Sequence, residues 1–345
     1  MSFLHDEIHE QPQVIQRLLT EEAENVQRIA QAIRESKPAF VMIAARGTSD
    51  NAARYAQYTL GIFAGMSVAL AAPSIHTLYD AQPDMSKAFV IGISQSGKSI
   101  DVAQIVKDAR EQGAKTLSIT NDPDSPMAQA AEYHIWLRCG EEQSVAATKT
   151  YTAQLTAISM LTAYLVNDAT MITELTRLPE LLEQTLANAQ VINTWAERYR
   201  YIERIAVIGR GLNYSTAFEV ALKIKELCYV VGEEYSEADF RHGPIAIISR
   251  GFPVLVIAPK GKTLPLLVDL LKKLNNERRA ECIVFSNDDE ACSLGIKSVK
   301  LPEIPEWLSP VCAVVPGQMF AYRLAEAKGH NVDQPEGLTK VTITR

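Results

Sequence analysis

A chain of 345 residues, 47% hydrophobic and 22% charged, has the make-up of a folded globular protein with room for two domains of roughly 150 residues each. Its net charge of −7 excludes a general nucleic-acid binder, which needs a basic face against phosphates, though a local pocket for a small anion remains open. The N-terminal MSFLHDEIHEQP lacks the apolar core of a signal peptide, no apolar run approaches the ~20 residues of a membrane span, and five cysteines without a CxxC pair read as buried free thiols of a reducing compartment; a cytoplasmic protein with no membrane contact is expected.

Short β-branched runs alternate with helical patterns along the chain, the signature of a parallel α/β sheet. FVMIAA (40–45) reads as a strand and 49–64 as a helix after a Gly-Thr-Ser turn. SVALAA (67–72) and AFVIGIS (88–94) are strands. A helix follows with Val102, Ile105, Val106 and Ala109 at helical spacing, ending near Gly113. TLSIT (116–120) and YHIWL (133–137) are further strands, and 151–166 is a long helix. Residues 170–198 read as helical connection.

A second pass then begins. RIAVIGRG (204–211) mirrors FVMIAARG (40–47), with the glycines Gly47 and Gly211 164 positions apart. PVLVIAPKGKT (253–263) mirrors FVIGISQSGKS (89–99) at the same offset, and IVFSND (283–288) answers LSITND (117–122) at 166. The expected fold is therefore α/β: two tandem doubly wound parallel-sheet domains from an internal duplication. The expected boundaries are a helical segment over 1–37, a first domain over 38–168, a helical connection over 169–200, a second domain over 201–330 and a tail over 331–345. The first copy keeps Ser94-Gln95-Ser96 where the second has Ala258-Pro259-Lys260.

Gly92 to Ser99 matches the nucleotide-binding pattern G-x-x-x-x-G-K-[ST]. The apolar run, however, continues through Gly92 to Ile93, so the free turn is only Ser94 to Gly97, and no later apolar run ends in a magnesium-binding aspartate. The match is read as accidental. A hydroxyl- and glycine-rich turn at a helix N-terminus still favours an anion, through free N–H groups and the helix dipole. Ser94, Ser96 and Ser99 would add hydroxyl donors to a phosphate; alternatively Ser99 merely caps the helix.

Farther on, Glu219, Lys223 and Glu226 are spaced i, i+4, i+7 and share one helix face. The remainder of that helix is nearly all apolar, which points to burial. The stripe reads either as a solvated salt-bridge face or as buried charges with a chemical task. His242, by spacing alone, is better explained by structure than by catalysis. Lys340, near the C-terminus, reads as solvated. His5, His9, His76, His134 and His330 show no metal-ligand spacing; no metal and no redox cofactor are expected.

The Ser-Gln-Ser-Gly loop (94–97) resembles the phosphate loop of sugar-isomerase (SIS) domains, and Gly47-Thr48-Ser49 resembles their first sugar-binding turn. VAATKTYTAQ (145–154), ALKIKE (221–226), FRHGP (240–244) and DQPEGLTKVT (333–342) together resemble the isomerase part of glucosamine-6-phosphate synthases. The likeness spans roughly 38–345. It implies Glu226 as the acid/base between C1 and C2, supported by Lys223 and Glu219, and His242 as the ring-opening group, supplied by the neighbouring subunit of a homodimer with shared sites. It implies Lys340 as a sugar contact within a tail folded over the site. It also implies that Thr48, Ser49, Ser94, Gln95, Ser96, Ser99, Val145, Ala146 and Thr339 bind substrate. Two departures stand out. Only 37 residues precede the first strand and none is cysteine, so glutamine-dependent synthesis is not expected. Ala147 replaces a common serine, removing one hydroxyl contact. The resulting expectation is an aminosugar-phosphate deaminase acting on glucosamine 6-phosphate, with a fructosamine-phosphate deglycase or a non-catalytic sugar-phosphate sensor as alternatives.

Overall fold

The computed structural model describes residues 2–340, folded as two compact units. The first holds Gln13–Glu142, Lys149–Arg177 and the chain from Thr339; the second holds the chain up to Pro12, Gln143–Thr148 and Leu178–Leu338. The units are interleaved in sequence. Val341 and Thr342, which belong to the tail motif, lie outside the described residues.

The sheet of the first unit comprises β1 (Phe40–Ala44), β2 (Val68–Leu70), β3 (Ala88–Ile93), β4 (Lys115–Thr120) and β5 (Tyr133–Trp136). All pairings are parallel, in the order β2-β1-β3-β4-β5. Every residue of β3 is buried, as expected for a strand covered on both faces by crossover helices. Gly92 lies inside this strand, paired with Ala44 and Ser118. A Cβ there would fall 2.7 Å from Val106 and 2.9 Å from the Met127 sulfur. The first glycine of the nucleotide-like pattern thus serves close packing of the Ile100–Glu111 helix, and β3 runs to Ile93 as the apolar run indicates. Val90, Val102, Ile105, Val106 and Ala109 form the core between them, each large aliphatic side chain contributing about 1.5–3 kcal/mol on burial.

The second sheet comprises β6 (Arg204–Gly209), β7 (Val231–Ser236), β8 (Pro253–Ile257), β9 (Glu281–Ser286) and β10 (Lys297–Lys300). Its order is β10-β9-β8-β6-β7, again all parallel. Counted within the unit this is the same 2-1-3-4-5 arrangement, so the duplication inferred from matched segments is a duplication of topology. Gly47 and Gly211, matched by the offset, both hold positive φ, +52° and +59°.

Two largely buried helices of this unit pack against each other. Tyr214–Cys228 follows β6, and Ser309–Lys328 packs against it. Gly317 makes the approach possible: a Cβ there would meet Val220 Cγ2 at 2.2 Å. The first 36 residues form helices Phe3–His9, Gln11–Glu21 and Ala23–Ser36. Among the described residues no helix is long and apolar enough to cross a membrane. Cys139, Cys228, Cys282 and Cys312 are buried free thiols, and Cys292 is half-buried and also free.

Candidate functional site

In the first unit the reversal of strand order falls between β1 and β3, and open parallel sheets bind ligands outside the carboxyl ends of strands at such a point. Both expected substrate turns arise there. After β1, Gly47 precedes a helix that begins at Thr48, one residue before the expected Ser49, so the Thr48 and Ser49 hydroxyls belong to its first turn. Ser49 is buried and accepts a hydrogen bond from Gln154 Nε2 at 3.0 Å. After β3, the turn is fastened by its own backbone: Ser94 N donates to Ile119 O, Asn121 N to Gln95 O and Met127 N to Gly97 O. Gly97 has φ +64°, and a Cβ on it would lie 2.1 Å from Ser125 Oγ, so no other residue fits.

Within this turn Ser94 Oγ accepts from Gly97 N at 3.1 Å, and Ser96 Oγ from Lys98 N at 3.3 Å. Ser99 is the N-cap of Ile100–Glu111, but its side chain makes no capping bond; it stands 3.5 Å from Ser94 Oγ. The capping explanation of Ser99 therefore fails; the first-turn N–H of Val102 is instead taken by Asp101 Oδ1 at 2.9 Å.

The two turns are tied together by groups the sequence reading did not single out. Arg46 Nε donates to Asp101 Oδ2 at 2.9 Å, with Asp101 fully buried. Elsewhere in this unit Glu142, a buried carboxylate, accepts from Thr150 N at 3.1 Å, Thr150 Oγ1 at 2.8 Å and Lys340 Nζ at 2.8 Å. Lys340 is thus half-buried in an ion pair rather than solvated. Thr339 beside it is exposed.

In the second unit Val145 and Ala146 lie in a bend of the chain. Val145 N donates to Asp333 O at 3.1 Å, and the Asp333 carboxylate accepts from Phe3 N and Leu4 N. Glu7 accepts from Gln143 N and Ser144 Oγ just before it.

On the Tyr214–Cys228 helix, Ala217, Ala221, Ile224 and Cys228 are buried as the pattern requires. Lys223 is 1% exposed and Glu219 fully buried, whereas the Glu226 side chain is 24% exposed. Lys223 Nζ donates to Glu226 Oε2 at 2.5 Å and lies 3.4 Å from Glu219 Oε1. The solvated-face reading is excluded. A buried ammonium between two carboxylates, one of them open to solvent, orients the outer carboxylate and balances its charge. His242 follows the Glu237–Arg241 helix and is exposed; its Nδ1 lies 2.8 Å from Ala238 O. A carbonyl only accepts, so Nδ1 carries the proton and Nε2 of the neutral ring is left as an acceptor. That hydrogen bond runs to its own helix and not to the 219–226 stripe. Among the described residues no group of three or more His, Cys, Asp or Glu is arranged to hold a metal.

A duplicated doubly wound sheet with a serine-bearing turn at its first switch point defines a tandem α/β protein. The SIS domain model matches residues 33–164 and 199–326, one match per copy. The chain belongs to the SIS domain family. It is 35% identical, over 99% of its length, to a glutamine–fructose-6-phosphate aminotransferase (isomerizing) of Aquifex aeolicus, and spans 57% of that relative. It is 31% identical to a Silicibacter pomeroyi protein of known structure described as a candidate phosphosugar isomerase, covering 96% of this chain and 99% of that one with a TM-score of 0.85. A glucosamine-6-phosphate deaminase from Thermotoga maritima shares the fold at a TM-score of 0.79 and 19% identity, covering 99% of this chain and 100% of that one.

Proposed function

We infer that the protein is an aminosugar-phosphate deaminase that converts glucosamine 6-phosphate and water to fructose 6-phosphate and ammonia. The observation that carries this reading is the buried Glu219–Lys223–Glu226 array, in which one carboxylate keeps an outward-facing edge. The serine turn, with three hydroxyls and an uncapped Ser99 at a helix N-terminus, supports a phosphorylated substrate. The A. aeolicus relative, named for an isomerizing aminotransfer to fructose 6-phosphate, supports the sugar class.

In this reading His242 Nε2 takes the O1 proton as the pyranose opens and the ring oxygen is protonated as its bond to C1 breaks. Glu226 removes the C2 proton of the amino-aldose and returns one to C1, while the amine nitrogen loses a proton and O1 gains one, giving a 2-imino ketose. Water adds to the imine carbon and ammonia leaves. The Ser94, Ser96, Ser99, Thr48 and Ser49 hydroxyls hold the phosphate, so binding energy remote from the reacting carbons orients them. Gln95, Val145, Ala146 and Thr339 border the sugar, and Lys340 contacts it once released from Glu142. The buried, unpaired thiols support a cytoplasmic setting.

Because His242 is exposed and bonded only to its own helix, we assign it to the sugar bound by the partner subunit of a homodimer. Mixing Glu226→Gln subunits with His242→Ala subunits should restore activity absent from either alone; no recovery in a proven mixed dimer would reject shared sites. The function itself is tested by assaying ammonia and free amino acid with a panel of aminosugar phosphates and fructosamine 6-phosphates. Ammonia from glucosamine 6-phosphate is expected. Amino-acid release from fructosamine phosphates alone would replace this reading with a deglycase, and binding without turnover of any of them with a sensor.

A further inference from the structure

The sequence reading gives His76 no role, yet it is 8% exposed and lines a cavity of about 550 Å³ in the first unit. That volume is in the range of small-molecule sites. His76 sits on the Ser74–Thr77 turn of helix after β2, opposite Gln104 and Asp108, which share a face of the Ile100–Glu111 helix at i, i+4. Asp108 is buried and uses both oxygens. Oδ2 accepts from His76 Nδ1 at 2.8 Å, and Oδ1 accepts from Gln104 Nε2 at 2.6 Å.

The consequence is directional. A carboxylate can only accept, so His76 Nδ1 carries the proton and Nε2 of the neutral ring becomes an acceptor without a protein partner among the described residues. The Gln104 amide, with its NH₂ turned to Asp108, is left presenting Oε1. One buried carboxylate therefore fixes two neighbours so that each offers a lone pair. Asp80, also on the lining, adds a carboxylate and holds a left-handed backbone at φ +47°, a conformation aspartate tolerates better than most residues. The lining includes no lysine or arginine.

We propose that this cavity is a second ligand site, distinct from the serine turn, for a small organic cation bearing a primary ammonium group. Three acceptors and a net negative lining match an R–NH₃⁺ donor, which offers three N–H groups. The same lining, with the carboxylates of Asp80 and Asp108 and no lysine or arginine, disfavours phosphate. The proposal stands independently of the deaminase reading.

The experiment uses the full-length protein, with the His76 side-chain nitrogens followed by ¹⁵N NMR and affinity by titration at constant ionic strength. Ethanolamine is the probe, and tetramethylammonium, an equal charge with no N–H, is the control. Ethanolamine is expected to move the Nε2 resonance, while tetramethylammonium leaves it in place. Asp80→Asn, at an exposed position, and Gln104→Leu should each weaken ethanolamine at least fivefold without altering the circular dichroism spectrum. The proposal is overturned if ethanolamine moves nothing, if both cations act alike, or if both variants bind ethanolamine as the wild type does.

Discussion

The two copies of the doubly wound sheet differ most at the turn after their third strand. In the first copy, Ser94 to Ser99 carries three hydroxyls, and the cap position has no side-chain bond. In the second copy the protein fills the turn itself. Lys262 N donates to Glu306 Oε1 at 2.9 Å and Lys260 N to Asn287 Oδ1 at 2.7 Å. A Cβ on Gly261 would lie 2.1 Å from the Glu306 carboxyl carbon. An internal carboxylate thus takes the place that a bound anion would have, and Lys260 is paired with Glu303. The first copy keeps serine hydroxyls at this turn, whereas in the second a backbone N–H of the turn is bonded to the protein's own acid. The second copy instead invested in the Tyr214–Cys228 helix, where buried charges replace the apolar residues expected of an interior helix.

The largest effect on folding is expected where those charges are buried. Glu219→Ala leaves Lys223 short of a carboxylate in the interior, which costs about 3–5 kcal/mol and should lower the urea midpoint without changing the slope; a loss below about 1 kcal/mol would mean the stripe hydrates. The contrast between the turns is sharpened by Ser96→Ala and Glu306→Gln. If the first binds phosphate, Ser96→Ala removes a hydrogen bond to a charged group worth about 1.5–3 kcal/mol, roughly 10- to 100-fold in KM for the phosphorylated sugar. Glu306→Gln should leave KM unchanged, and the reverse pattern would move the phosphate to the second copy.

The smallest effect is a pH dependence belonging to the first copy. Burial, the largest cause, pushes the His134 imidazole below its ordinary value, and Thr120 Oγ1 lies 2.9 Å from its Nε2. A histidine whose folded pKa is depressed contributes stability above the unfolded value of about 6.5 and loses it as pH falls toward the folded one. Thermal midpoints compared at pH 7.5 and 5.5 should fall less in His134→Gln than in the wild type; an equal fall would place the acid sensitivity elsewhere.

Much of this was legible in the residues. The repeats at 164 expose the duplication because matched turns need the same glycines at the same strand ends, as Gly47 and Gly211 demonstrate. The central strands were readable because burial on both faces forces continuous apolar runs. β7 and β10 were not: VGEEYS and KSVK are edge strands whose charges face solvent, and such charges blunt an edge while hiding it. The Ser309–Lys328 helix is likewise obscured by Pro316 and Gly317 inside it. At the site, the hydroxyls of the serine turn announce themselves, since no core position calls for three serines beside a glycine. Arg46–Asp101, Glu142–Lys340 and His76–Asp108 do not. Each pair joins residues 32 to 198 positions apart, and no local pattern carries a contact of that span.

The central claim is that Glu226 carries a proton between C2 and C1 of a phosphorylated aminosugar. It is tested most directly by incubating glucosamine 6-phosphate with the protein in D₂O and examining the product by NMR. The account predicts fructose 6-phosphate carrying solvent deuterium at C1, released with ammonia, and a loss of about 10²- to 10⁴-fold in that rate in Glu226→Gln with the sugar phosphate still bound. Wild-type turnover in Glu226→Gln would contradict it, as would a wild-type protein that binds the sugar phosphate and leaves its carbon-bound hydrogens untouched.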